Sequence, residues 1–261
     1  MLNDAPTIAA LKEQARRRVP KMFFDSADSG SFAEGIYRAT ESDFEKIKLR
    51  QRVLVDVTDR DLMSRMAGED VAMPVALAPT GLTGMQHADG EMLAARAAEA
   101  FGVPFALSTM SIRSIEDVWS VTTRPFWSQL YAMRDRDFIQ NLIDRAKAAG
   151  CSALVLTLDP RILGQRHKDL RDGLSAPPKF TPKHVWQMAT RPGGASTGSA
   201  PGAPPRAPRP ARQPFFVVAA RSGDQHGAEI VDVGAGGAGD DQVAQGREEA
   251  IGVVVREQRG R

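Results

Sequence analysis

The sequence is poor in the residues that most often announce chemistry. Of its 261 residues one is cysteine, Cys151, and four are histidine: His87, His167, His184 and His226. One cysteine excludes an intrachain disulfide and a multi-thiolate metal centre, and fits a reducing compartment. Cys151 lies between Gly150 and an apolar run, the setting of a buried structural thiol rather than a nucleophile. No histidine has the spacing of a metal ligand or of a Ser-His-Asp triad, so no metal site is expected. The net charge is only +2, which gives the chain no strong field for nucleic acid or an acidic surface. No stretch approaches the ~18 to 20 apolar residues of a membrane span. The N-terminus, MLNDAPTIAALKEQARRRVP, carries an early acid and no apolar core, unlike a secretion signal. These absences predict a soluble, cytoplasmic protein with at most a peripheral membrane contact.

A local absence divides the chain. Gly193 to Pro214, GGASTGSAPGAPPRAPRPARQP, has no acid and no apolar side chain larger than alanine. Such a run cannot bury enough surface to offset its chain entropy, so it is expected to be irregular and exposed. The arginines around it, Arg206, Arg209, Arg212 and Arg221, lie among prolines rather than aromatics and do not make a nucleic-acid site. Further on, Phe215–Ala220, Ala228–Val233 and Ile251–Val255 are strand-like, and GAGGAG at 234–239 is too glycine-rich for regular structure. The expected organisation is a folded part over 1–192 and a Gly/Ala/Pro/Arg-rich tail over 193–261. The tail's composition suggests an out-of-frame reading of GC-rich DNA.

What remains is a repeat. Thr7 caps a first helix to about Val19, with Ile8, Leu11 and Ala15 on one face and Pro20 as its stop. Val53–Val57 alternates and predicts a short strand. From Met73 onward four apolar runs follow, Val75–Ala78, Phe105–Leu107, Phe126–Leu130 and Ala153–Leu156. Between them lie three amphipathic helices. The first starts at Asp89, carries Leu93, Ala97, Ala100 and Phe101 as its apolar stripe, and ends at Gly102. The second is capped by Ser114 and carries Ile115, Val118 and Trp119; the third is capped by Asp135 and carries Phe138, Leu142 and Ala146. Strands without polar alternation, each followed by a helix, predict a parallel sheet covered by helices. Four such units in register predict an α/β fold, the N-terminal part of a TIM-type (β/α)₈ barrel. A doubly wound open sheet is the alternative, although no strand leads into a G-x-G-x-x-G turn.

Barrel sites lie at the C-terminal ends of the strands. Thr80, Ser108, Gln129 and Thr157 fall at or just after the ends of the four runs, a ring of neutral polar groups suited to a large neutral heterocycle. Singly, a Ser or Thr at a strand end is equally a loop initiator. Tyr131, two residues beyond Gln129, points to the same side of an extended segment. The next segment, LDPRILGQRHKDLRDGLSAPPKF, reads as a long surface loop. Its Arg161, Arg166 and Arg171 could each offer a guanidinium fork to a carboxylate, and spacing does not choose among them.

Six ordered blocks carry a resemblance. They are VPKMFFD with DSGS, FEKIKLRQRVLVDV, MPVALAPTGLTGMQHADGE, PFALSTMSIRSIEDV, FWSQLYAMRDRDF and LVLTLDPRILGQRHKDLRDGLSAPPK. Over residues 1 to about 192 the chain resembles the FMN-dependent α-hydroxy-acid oxidase/dehydrogenase family, nearest its bacterial respiratory branch acting on L-lactate. The resemblance implies a (β/α)₈ barrel with FMN lined by Ala78, Pro79, Thr80, Ser108, Gln129 and Thr157. It implies Tyr131 and Arg166 as holders of the substrate carboxylate, and a tendency to form homo-oligomers. The electron acceptor is not specified by it. Two departures stand out. Ser26 follows F-F-D where the family usually has a substrate-contacting tyrosine. The strand-borne lysine, the S-N-H-G-G-R-Q segment with the family's histidine base and the D-G-G-x-R phosphate site do not occur, and His226-Gly227 does not restore them. No catalytic residue is therefore assigned. This polypeptide is expected to be inactive by itself, the alternative reading being a non-catalytic half-barrel that acts through a partner.

Overall fold

A computed structural model of the protein describes residues 5–158, 164–174, 181–191, 216–220 and 231–233. The expectations for Gly193–Pro214, Arg161, GAGGAG and Ile251–Val255 lie outside these residues. The chain divides into two compact units, one of 1–61, 82–90 and 161–200, the other of 62–81, 91–160 and 201–261.

The first unit is helical: α1 Ile8–Arg18, α2 Lys21–Ala27, α3 Gly35–Ser42 with a 3₁₀ turn Asp43–Lys46, and, from later in the chain, α4 Thr83–Gln86. Thr7 caps α1 by accepting from Ala10 N at 3.1 Å. Pro20 separates α1 from α2 and supplies the carbonyl for Phe23 N and Phe24 N, both at 3.0 Å. The core of this unit is Val19, Met22, Phe23 and Phe24, with Ala15, Met85, Leu174 and Met188 against it. The predicted apolar face of α1 is not buried at its start: Ile8 is 85% exposed. The predicted strand Val53–Val57 does not form. The segment is irregular, Leu54 has φ +58°, and among the described residues no strand lies beside it to pair with.

The second unit holds the sheet. A short antiparallel hairpin, β1 Ser64–Met66 and β2 Glu69–Val71, precedes α5 Gly90–Phe101, β3 Ala106–Leu107, α6 Ile115–Val121, β4 Trp127–Tyr131, α7 Arg136–Ala148 and β5 Ala153–Thr157. The predicted first strand is reduced to one parallel bridge, Leu77 to Phe105. β3, β4 and β5 are parallel neighbours in chain order, and α6 and α7 are their crossovers. A sequential order with no reversal is that of a barrel segment rather than of a doubly wound sheet. After α8 His167–Asp172 and α9 Pro182–Thr190, both in the first unit, β6 Phe216–Ala220 adds to β5 in parallel and β7 Val231–Val233 closes on β6 antiparallel. Two of the strand-like pieces of the tail, Phe216–Ala220 and Val231–Val233, thus extend the main sheet.

Helix caps follow the sequence. Ser114 and Asp117 form a reciprocal capping box on α6, and Asp135 accepts from Phe138 N on α7. The helix-facing side of the sheet packs Phe105, Leu107, Phe126 and Cys151 against Ala95, Ala98, Ile115, Val118 and Ala146. Here α5 departs from its expected stripe. Leu93 is 46% and Phe101 59% exposed, Ala97 and Ala100 are exposed as well, and Ala95 and Ala98 face the core at 2% each. The small side chains let the helix sit close to the sheet, where Phe105 and Leu107 fill the space.

Candidate functional site

Strand parity sorts the candidate residues before any contact is considered. Trp127, Gln129 and Tyr131 alternate with the helix-facing side, and the register pairs them with Ala153, Val155 and Thr157. Ala106 pairs with Trp127, so Ala106 and, by alternation, Ser108 fall on that same inner face. The Leu77–Phe105 bridge puts Leu77 on the helix side, which leaves Ala76, Ala78 and Thr80 on the inner face. The N-terminal end of this face is closed by the hairpin. Ala67, Ala106, Trp127, Ala153 and Val155 form one cluster, with Met66 and Ala76 against it. The Trp127 indole N–H donates to the Glu69 carboxylate at 3.1 Å, and the Ser152 hydroxyl donates to the same oxygen. Apolar closure at one end leaves the polar positions at the other.

There Gln129 is the centre. It is 3% exposed. Its Oε1 accepts from Thr109 N at 3.0 Å and from the Ser108 hydroxyl at 3.4 Å, and its Nε2 donates to Thr157 Oγ1 at 2.9 Å. Ser108 Oγ also accepts from Met110 N at 3.1 Å, and Thr109 Oγ1 donates to the Gln129 carbonyl at 2.5 Å. The amide is therefore held in one orientation, its N–H₂ toward Thr157. Gly81 carries the preceding loop close to this group: a Cβ there would stand 3.0 Å from Met110 Cβ and 3.7 Å from Ser108 Oγ. Ala78, Pro79 and Thr80 are exposed beside it, with Thr80 Oγ1 donating to Ala78 O at 3.3 Å. Of the predicted ring, Ser108, Gln129 and Thr157 are joined by hydrogen bonds, and Thr80 reaches the same rim through its neighbour Gly81. Tyr131 is half-buried on the same face, opposite Thr157 in register.

Arg166 belongs to the other unit. The expected long surface loop contains α8, and Arg166 is the residue that precedes it. Its Nη2 donates to the Ser26 carbonyl and to Ser29 Oγ at 2.9 Å, its Nε to Ser29 Oγ at 3.2 Å, and Asp169 lies 3.5 Å from Nε. Ser26, the position where the family's tyrosine is missing, thus touches Arg166 through its backbone. Sequence reading passed over Thr109 and Ser29, which hold Gln129 and Arg166. The signal for Thr109 was its place directly after a strand-end serine; Ser29 gave none, because its contact joins residues 137 apart in the chain. His87 and His167 are exposed, and Cys151 is buried. Among the described residues no cluster of His, Cys, Asp or Glu could hold a metal, and no helix is long and apolar enough to cross a membrane.

The family model for FMN-dependent dehydrogenases matches residues 15–213. An L-lactate dehydrogenase of Pseudomonas entomophila is 47% identical over 178 residues, 68% of this chain and 46% of that protein. One of Haemophilus influenzae is 48% identical over 181 residues, 69% of this chain and 47% of that protein. Among solved structures, the monotopic membrane protein (S)-mandelate dehydrogenase superposes with a TM-score of 0.66 at 32% identity, over 70% of this chain and 49% of that one. The chain spans about half the length of the curated relatives it matches. Because the family model covers most of the chain, the chain belongs to the FMN-dependent dehydrogenase family.

Proposed function

We propose that this chain carries part of the site of an FMN-dependent L-2-hydroxy-acid dehydrogenase, with L-lactate as substrate and pyruvate as product. The observation that carries the reading is the buried Gln129 amide, fixed between Ser108, Thr109 and Thr157 at the open end of the sheet. The group fits these residues. A neutral donor–acceptor set suits the edge of an uncharged heterocycle, and the close approach of Gly81 to Ser108 makes the wall behind it backbone-thin. Ala78, Pro79, Thr80, Ser108, Gln129 and Thr157 would hold FMN, whose chemistry, when bound, is to accept two reducing equivalents from the substrate α-carbon. Tyr131 and Arg166 would bind the carboxylate, the first with a phenol, the second with its guanidinium fork. Ser29 accepts from both Nε and Nη2, the Ser26 carbonyl accepts from Nη2, and Asp169 lies beside Nε; together they orient the guanidinium. Proton removal needs a base, and the 261 residues contain no S-N-H-G-G-R-Q segment to supply one. The polypeptide by itself is therefore expected to be inactive, and the missing segment is the observation favouring a second reading, a non-catalytic half-barrel acting through a partner.

We place the boundary between barrel portion and tail near residue 192 on composition, although Phe216–Ala220 contributes a parallel strand to the sheet. We infer a cytoplasmic location with peripheral contact at the inner membrane. The support is the similarity to a monotopic membrane dehydrogenase together with the lack of a crossing helix among the described residues. A homo-oligomer fits the same reading. The test is a chimera: residues 1–191 joined to the C-terminal half of the P. entomophila enzyme. It should be yellow and reduce a dye with L-lactate, and R166M should abolish turnover. The 261-residue chain alone should be colourless and inert. A yellow chimera that oxidises no 2-hydroxy acid would overturn the proposal.

A further inference from the structure

We propose that His184 makes the docking of α9 on the helical unit dependent on pH: the neutral imidazole caps the helix, and the protonated one releases it. The N-terminus of α9 carries a reciprocal capping box between Thr181 and His184. Thr181 Oγ1 accepts from His184 N at 3.4 Å, and His184 Nδ1 accepts from Thr181 N at 3.2 Å. The reaching-back position of such a box is ordinarily Glu or Gln, which accept in this place throughout the neutral range. A histidine accepts only while one ring nitrogen keeps its lone pair.

The surroundings allow one neutral tautomer. His184 is 3% exposed, and its Nε2 lies 2.6 Å from the Asp172 carbonyl, which can only accept. Nε2 therefore carries the hydrogen, and Nδ1 is left to accept from Thr181. A second proton, on Nδ1, sets two donors against each other and places a cation in the first turn of a helix, where the backbone dipole opposes it. The charged groups nearby are already matched. The Asp172 carboxylate on α8 lies 3.2 Å from Lys21 on α2, which also pairs with Asp25. Asp169, one turn earlier on α8, pairs with Arg166 at 3.5 Å. On α9 the adjacent charge is Lys183, a further cation.

What the cap holds is a strap. Met188 packs on the Val19, Met22, Phe23 and Phe24 core. Gln187 accepts from Met22 N at 3.3 Å, and Arg191 donates to the carbonyls of Arg16 at 3.0 Å and Val19 at 3.2 Å. α9 thus ties down the junction of α1 and α2. The released state takes up a proton that the docked state cannot accommodate, so acid favours release.

Hydrogen–deuterium exchange of the α9 amides at pH 8 and pH 5, corrected for intrinsic exchange rates, tests this. In the wild-type chain protection should fall roughly fivefold or more, the worth of one helix cap. H184Q keeps the box without the titration and should be equally protected at both pH values. Wild-type protection that does not fall, or an equal fall in H184Q, would overturn the proposal. Nitrogen NMR of the wild-type imidazole gives a readout that needs no variant. Nδ1 should lose its acceptor state in step with α9 protection, and an imidazole that titrates while α9 stays protected refutes the switch.

Discussion

Replacing Gln129 by methionine removes the amide at nearly constant volume and so isolates the rim's hydrogen bonds. Three are lost: 2.9 Å to Thr157, 3.0 Å from Thr109 N and 3.4 Å from Ser108. The longest is at the limit of a useful bond, and Ser108 keeps its contact with Met110 N at 3.1 Å. The other two contribute about 1 kcal/mol each. Thr157 is only half-buried, so water can replace its lost donor. Thr109 N–H loses its Gln129 acceptor, and the desolvation left behind adds to the cost, at ~1 to 3 kcal/mol for such a group. The apolar methionine, placed in a 3%-exposed site, returns part of this. The net expectation is about 2 kcal/mol, or roughly 30-fold in the folding equilibrium. Urea unfolding read by tryptophan fluorescence is the assay, since Trp127 lies two residues away on the same face. S108A should cost less than Q129M, because it gives up the long bond and one contact near a backbone that can adjust. A Q129M chain as stable as wild type would show that the amide is not part of a buried network, and the fit to a heterocycle would lose its basis.

Glu116 and Arg145 join α6 to α7 through two bonds of 2.8 and 2.6 Å, and the Arg145 fork holds the Glu116 carboxyl down at about 2. A depressed carboxyl stabilises above its ordinary range and loses that contribution as pH falls from about 4.5 toward 2. Because Glu116 is half exposed the effect should stay below about 1 kcal/mol. E116Q should narrow its gap to wild type over that window in acid unfolding, and a gap constant to pH 2 would refute the pairing. Gly102 closes α5 at φ +84° with Ala72 Cβ 3.2 Å from where its own Cβ would be. G102A should cost about 1 to 2 kcal/mol in thermal unfolding, while an unchanged midpoint would mean the turn relaxes freely.

Local rules determined a good part of this protein. Ser114, Asp135 and Thr7 cap the helices that follow them, because a side chain bonding an amide three residues on needs nothing from the rest of the chain. Two-residue alternation put Gln129 and Tyr131 on one face, and the ends of the apolar runs marked Ser108, Gln129 and Thr157. Other features depended on contacts distant in sequence. Val53–Val57 has strand propensity but acquires no partner strand, and a strand exists only through its neighbour's hydrogen bonds. On α5 two apolar stripes compete, and the sheet chose the alanines over Leu93 and Phe101 because close approach required small side chains. The tie of Arg166 to Ser26 joins points 140 residues apart, and that of Lys21 to Asp172 joins points 151 apart. Composition alone proposes a boundary near residue 192, and only the sheet could place Phe216–Ala220 beside β5, since backbone pairing needs no distinctive side chain.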